Sequence, residues 1–362
     1  MRIGVIGAGL FGCTAAIHLA RAGHDVHLYE KSGQLLGAAS TINQLRLHTG
    51  YHYPRSPSTI RECQDGLTSF RAEYGEAIID DGNQYYAIAK DGSKTSGDAF
   101  LKVCAVFGLL PADRCAPGFL DHDSLVLAVK VQEARLDPVR LSSVVFRKLV
   151  DAGVVLRFEP ATVDLRYEYD QIVVAAYAST NEVLFDLGCP LEALQYELCE
   201  KPVIKLPDEM RDVSCVVMDG EFCSIDPWGD TGLHVMGHVK HAIHASHVGF
   251  DSAMPAHLNG YLNCGVVECP EHTAFERFRE AGSVFIPALA RAEHLGSMWT
   301  VRAVLPDLDA TDARPTVVSR VDDQVVKIFS GKLGCAVTSA QHVQQMLDST
   351  HCRTGDLALS AA

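Results

Sequence analysis

The first twelve residues constrain this chain more than any other stretch. Arg2–Ile6 (RIGVI) is a short apolar run, and Gly7-Ala8-Gly9-Leu10-Phe11-Gly12 follows it in the pattern G-x-G-x-x-G. An amphipathic stretch from Cys13 to Ala22 comes next, then a second apolar run, Asp25–Tyr29, which closes on Glu30. Strand, tight turn, helix and strand open a βαβ unit, and hence a parallel sheet with a right-handed crossover. Each glycine has its own task in such a unit. Gly7 permits the turn, Gly9 lets the backbone approach a pyrophosphate, and Gly12 lets the helix lie close on the strand. The helix N-terminus presents N–H groups and a positive dipole end to phosphates. Glu30 stands 18 residues after Gly12, where a carboxylate accepts hydrogen bonds from ribose hydroxyls and repels a 2′-phosphate. The pattern predicts a dinucleotide site and leaves FAD and NAD both open.

Beyond Glu30 two kinds of segment interleave. Residues 31–60 are polar and without period, and read as ordered loop with one short helix. Gln84–Ala89 and Leu125–Val131 are β-like runs, Leu141–Ala152 is helical by spacing, and Val154–Phe158 and Gln171–Ala176 are apolar strands. Residues 196–240 alternate as antiparallel strands do, 271–292 form one helical pattern, and Val325–Phe329 is a strand followed by a helix over Cys335–Leu347. The expectation is an α/β protein: a Rossmann-type domain from 1–80, 136–188 and 299–350, interleaved with a mainly antiparallel domain from 81–135 and 189–298. Residues 351–362 read as a tail. At 362 residues the chain has length for two cores. A formal charge of −14, from 31 basic and 45 acidic side chains, argues against a nucleic-acid surface, which needs clustered cations. No run reaches the roughly 18 apolar residues of a membrane helix, and 12 cysteines without a C-x-x-C pair read as free thiols of a cytoplasmic protein.

The choice of cofactor comes from a resemblance. The fingerprint, Glu30-Lys31 followed by Gly37-Ala38-Ala39-Ser40-Thr41, the block ARLDPVRLSSVVFRKLVDAGVVL, the strand DQIVVAAYAST, and the segments TVRAVLPDLDATDARPTVV and FSGKLGCAVTSA together resemble the D-amino-acid oxidase and glycine oxidase superfamily across nearly the whole length. Two departures stand out: the glycine usual after the small-residue strand is missing near Ala176–Ser179, and the Arg-Pro signature after Arg302 is loosened. The resemblance implies FAD, held non-covalently, and oxidation of a C–N or C–O bond of a small molecule by hydride transfer to flavin N5. It places Gly7, Gly9, Leu10, Phe11, Gly12, Glu30, Lys31, Ser40, Thr41, Arg46, Val163, Ala175, Ala176, Gly331, Lys332, Leu333 and Gly334 against the cofactor. The glycines at 331 and 334 also open a helix whose N-terminus suits the flavin N1–C2=O edge, with Lys332 adding charge.

Residues 43–56 (NQLRLHTGYHYPRS) hold two histidines, two tyrosines and two arginines. His48 and His52 are candidate bases, because imidazole titrates near neutrality. Arg302 occupies the place of the family's carboxylate-gripping arginine and joins them as a catalytic and substrate-binding candidate. Tyr53, Arg55, Tyr196 and Trp228 are further candidates for the substrate pocket. An amine substrate needs no strong base, whereas an alcohol or 2-hydroxy acid does. Of His234, His238, His241, His244 and His247, the four from 238 to 247 would gather near one face if that stretch were helical, yet no carboxylate or cysteine completes a ligand set, so no metal is expected. A flavin hydroxylase, a non-redox sugar mutase and a flavin-fold binding protein without turnover remain as other readings.

Overall fold

The computed structural model describes residues 1–109, 113–308 and 311–359. Among these, the strands form three sheets, of six, nine and three strands. In the six-stranded sheet Arg2–Ile6 lies between Asp25–Tyr29 and Gln171–Val174, parallel to both. Val155–Arg157 extends it on one side, and Val325–Phe329 and the antiparallel Val317–Arg320 on the other. Helices Leu10–Arg21, Pro138–Asp151 and Ala336–Leu359 lie at this sheet. Their apolar sides close a core with Ile3, Val5, Val173, Val326 and Ile328. Asp137 caps the second of these helices by accepting from Val139 and Arg140 N–H, both at 2.9 Å, and Pro138 fits its first turn because that position has no helical partner for an N–H.

The nine-stranded sheet is antiparallel except where Gln84–Ala89 runs parallel to Ser214–Met218. Its longest pair joins Leu194–Lys205 to Glu293–Val304. That strand corrects the expected boundary at 299: residues 299–304 belong to the antiparallel sheet, and the chain re-enters the parallel sheet at Val317. Short strands Arg46–Leu47, Ala134–Leu136 and Ile78–Ile79 form the third sheet between the other two.

Three further expectations change. The loop reading of 31–60 ends at Ser56, whose Oγ accepts from Thr59 N–H and starts an 18-residue helix, Pro57–Tyr74. The single helical pattern over 271–292 is a helix at Phe275–Ser283 and a 3₁₀ turn at Pro287–Arg291. Pro287 explains the break, since a proline disfavours helical geometry in the residue before it. The expected tail is helical as far as Leu359, no proline interrupting it, and 360–362 lie outside the described residues, as do Asp309 and Ala310 of the segment quoted above. The histidine-rich stretch is a pair of strands, His234–His238 and Ile243–Gly249, with His241 in the turn between them, so its imidazoles do not share a helical face. Among the described residues no group of three or more His, Cys, Asp or Glu is placed to hold a metal ion, and no helix is long and apolar enough to cross a membrane.

Candidate active site

A cavity of about 570 Å³ opens at the C-terminal ends of the parallel strands and reaches the antiparallel sheet. Its first half is backbone. Gly7 has φ +101°, and a Cβ there would lie 2.6 Å from the Ala175 carbonyl oxygen; at Gly12 it would lie 1.9 Å from the Gly7 oxygen. At Gly9 a Cβ would meet only Ser40 Oγ, 3.2 Å away, so this turn faces space. No side chain caps the helix at Gly9, though Leu10 N–H donates to Ser40 Oγ at 2.9 Å. The Glu30 carboxylate accepts from Ala8 N–H at 2.9 Å and Ser32 N–H at 2.8 Å, which fixes it at the cavity with lone pairs to spare. Phosphates at an uncapped helix start and ribose hydroxyls at a fixed carboxylate are what FAD requires, so these residues fit it.

Leu10, Phe11, Lys31, Arg46, Ala175, Ala176, Gly331, Lys332 and Leu333 also line the cavity. Lys31 does so from the rim, paired with Glu182 at 2.7 Å with both side chains more than half exposed. Four expected contacts fall outside the lining, the first being Gly12, which packs on the Gly7 carbonyl instead. Thr41 donates its hydroxyl to the Leu36 carbonyl at 2.8 Å, Val163 is exposed, and Gly334 presses its carbonyl on Gly66, where a Cβ would come within 2.5 Å. Lys332 lies with Nζ 4.4 Å from the Tyr53 ring centroid, and burial, helped by Arg314, brings its ammonium down to about 8. Tyr177 occupies the region where the family's glycine is missing. It is held at φ +51°, a left-handed conformation costing a non-glycine residue about 1 kcal/mol. Its side chain lines the cavity, and burial raises the phenol to about 12.

The second half of the cavity is made of side chains. His48 reaches it from the end of Arg46–Leu47. Its Nδ1 is 3.6 Å from Glu133 Oε1, beyond hydrogen-bond range, and has no closer partner. Burial lowers the imidazole below its ordinary value, with Glu133 opposing. Glu133 is fully buried; it accepts from Arg46 Nη2 at 2.9 Å, Tyr86 Oη at 2.8 Å and Thr49 N–H at 2.8 Å. Burial raises its pKa, but Arg46 and His48 outweigh that and hold it well below the carboxylate range. Arg46 continues to Asp226 at 3.1 Å, so it anchors this network as well as touching the cavity.

Most other substrate candidates lie outside the lining. His52 stacks on His48, with ring centroids 5.1 Å apart. Tyr53 is 1% exposed and packs in the core with Tyr51 and Tyr86. Arg55 is paired to Asp219 at 2.6 Å. Tyr196 is buried, its hydroxyl accepting from Asn181 Nδ2 at 3.1 Å, and Trp228 packs against two apolar clusters. Density of polar residues pointed to His52, Tyr53 and Arg55, which the turns after Leu47 direct into packing and an ion pair instead. Arg302 does line the cavity. Glu133 and Lys201 went unnoticed. For Lys201 the signal is charge within an alternating strand, as in Glu197-Leu198-Cys199-Glu200-Lys201, whereas Glu133 lies between the strands Leu125–Val131 and Ala134–Leu136.

A family model described as "FAD dependent oxidoreductase" (DAO) matches residues 2–324. The FAD-dependent monooxygenase kojA of Aspergillus flavus is 27% identical over 384 residues, covering 96% of this chain and 86% of that protein. Glycine oxidase from Geobacillus kaustophilus superposes with a TM-score of 0.69 at 14% identity, covering 96% of this chain and 95% of the other. L-α-glycerophosphate oxidase from Mycoplasma pneumoniae, solved with FAD bound, gives 0.69 at 14% identity over 96% and 94%.

Proposed function

The chain belongs to the DAO family of FAD-dependent oxidoreductases, and from that premise we propose that it oxidises the C–O bond of a small hydroxyl-bearing molecule. The observation that carries the reading is His48 at the cavity with the buried Glu133 carboxylate behind its Nδ1. An amine reacts from its neutral form and leaves a base with nothing to do. A hydroxyl must give up a proton as its carbon is oxidised, and an imidazole in a carboxylate's grip takes one readily. FAD, when bound, supplies the two-electron acceptor. Glu133 sets the ring so that Nε2 faces the substrate hydroxyl, and it stabilises the imidazolium once the proton has moved. Hydrogen bonds of this kind are often long before substrate arrives and tighten with it, which suits the 3.6 Å separation.

The test is anaerobic mixing of the FAD-loaded protein with a panel of alcohols, 2-hydroxy acids and amines, followed by visible absorbance. Bleaching by a hydroxyl compound is expected, and His48→Gln should slow it by about 10²–10⁴-fold. The base works unprotonated, and burial lowers its pKa. The rate should therefore hold as pH falls to the ordinary histidine value of about 6.5 and decline only below it. Bleaching by amines alone, or an acid limb unchanged in H48Q, would sink the reading. A second reading, oxygenation, draws on the name of the Aspergillus relative. NADPH-driven reduction with ¹⁸O entering the product would favour it.

A further inference from the structure

Two cations reach the cavity from the antiparallel sheet, Lys201 and Arg302, and they differ in what they already hold. Glu197, Cys199 and Lys201 share one face of the strand Leu194–Lys205 by its period of two. Register places Glu197 opposite Arg302 and Cys199 opposite Thr300. Arg302 Nε donates to Glu197 Oε2 at 2.6 Å, and its Nη2 pairs with the same oxygen. Glu197 is buried and is fixed from its other side by Gln195 Nε2, 2.7 Å from Oε1. The guanidinium charge is thus met before any ligand arrives.

Lys201 has no ion pair or hydrogen bond with the described residues. The carboxylates whose field it feels are Glu197 and Asp226, and each is already bonded to an arginine, Arg302 and Arg46. Burial pushes its ammonium below the ordinary lysine value, the behaviour of a cation removed from water without a counter-ion. Of the other two lysines at the cavity, Lys31 is paired with Glu182 at the rim, and Lys332 belongs to the turn after Val325–Phe329 and lies over Tyr53.

We propose that Lys201 is the residue that takes the substrate's anionic oxygen, with Arg302 and Glu197 forming a neutral wall beside it. The ligand class is a small carboxylate. The proposal rests on the reading above in one respect, that the same molecule offers its hydroxyl to His48. A half-buried cation facing the cavity with an unmatched charge gains a full ion pair from such a ligand, whereas Arg302 must first release Glu197.

Butyrate and its neutral analogue butyramide, titrated into the FAD-loaded protein and followed through the visible flavin spectrum, test this. Lys201→Met should weaken butyrate at least tenfold and leave butyramide within twofold. Lys201→Arg should keep butyrate within threefold, and the paired change Glu197→Gln with Arg302→Gln should do the same. Flavin absorbance of each variant reports its folding. The proposal is overturned if butyramide weakens together with butyrate, if the paired change costs more than Lys201→Met, or if the unaltered protein binds no butyrate. Butyrate has no hydroxyl to lose, so failure here is separate from failure of the His48 reading, which the pH profile of flavin reduction decides.

Discussion

The two ends of the cavity are built from different materials. At the cofactor end, backbone makes the site: a glycine with positive φ at 7, a glycine whose missing Cβ lets a helix touch a strand at 12, and a carboxylate pinned by two amides. At the substrate end, side chains make it, with His48 from just past the strand Arg46–Leu47 and Lys201 and Arg302 from the nine-stranded sheet. Backbone can be built only one way at such close approach, so the chain announces it in a fixed spacing. Charged side chains on alternating strands reach one cavity from positions more than 150 residues apart, and spacing carries no trace of that meeting.

The sharpest way to break the contrast is at Gly12. Gly12→Val would put branched carbon where 1.9 Å separates a Cβ from the Gly7 oxygen. More than about 3 kcal/mol of stability should be lost by this overpacking, and purified protein should be colourless. Yellow protein with an unshifted urea midpoint would show that the backbone end is not as rigid as argued. Next in size is Glu133→Gln, at the side-chain end. The amide keeps hydrogen bonds to Arg46 but removes a buried charge, and about 2 kcal/mol should go in urea melts. The rate of substrate-driven bleaching should fall with it, while FAD content stays full. Loss of FAD in this variant would merge the two ends into one. The smallest effect belongs to Lys31→Ala. Although Lys31 directly follows Glu30, its pair with Glu182 is exposed, and such pairs contribute under about 1 kcal/mol. A shift beyond that would mean Lys31 has a partner in the cofactor.

What could be read from the chain follows the same division. The strands at Arg2–Ile6, Asp25–Tyr29, Gln84–Ala89, Leu125–Val131 and Val325–Phe329 fall where apolar runs and alternation place them, because burial of one or both faces dictates those patterns. Gly7, Gly9, Leu10 and Phe11 of the fingerprint, Glu30, and the Gly331–Leu333 turn reach the cavity, while Gly12 serves the helix–strand contact. The segment 43–56 was legible only as unusual. His48 reaches the cavity; Tyr53 and Arg55 turn into the protein and toward Asp219, because the turns between Leu47 and Ser56 follow no period that spacing could reveal. Glu133 was hidden because its partners, Arg46, Tyr86 and Thr49, are set by tertiary pairing alone.

The strand order of the parallel sheet also has a temporal side. Gln171–Val174 is flanked by Arg2–Ile6 on one edge and by Val325–Phe329 on the other, and the second neighbour is translated about 150 residues later. At a synthesis rate of roughly 5–20 residues per second, that edge waits on the order of ten seconds with its amides and carbonyls unpaired. The turn that carries Lys332 comes later still, after its strand. A nascent chain therefore carries the glycine fingerprint more than 300 residues before Lys332 is added, and it has no complete cradle to offer until that turn has been made.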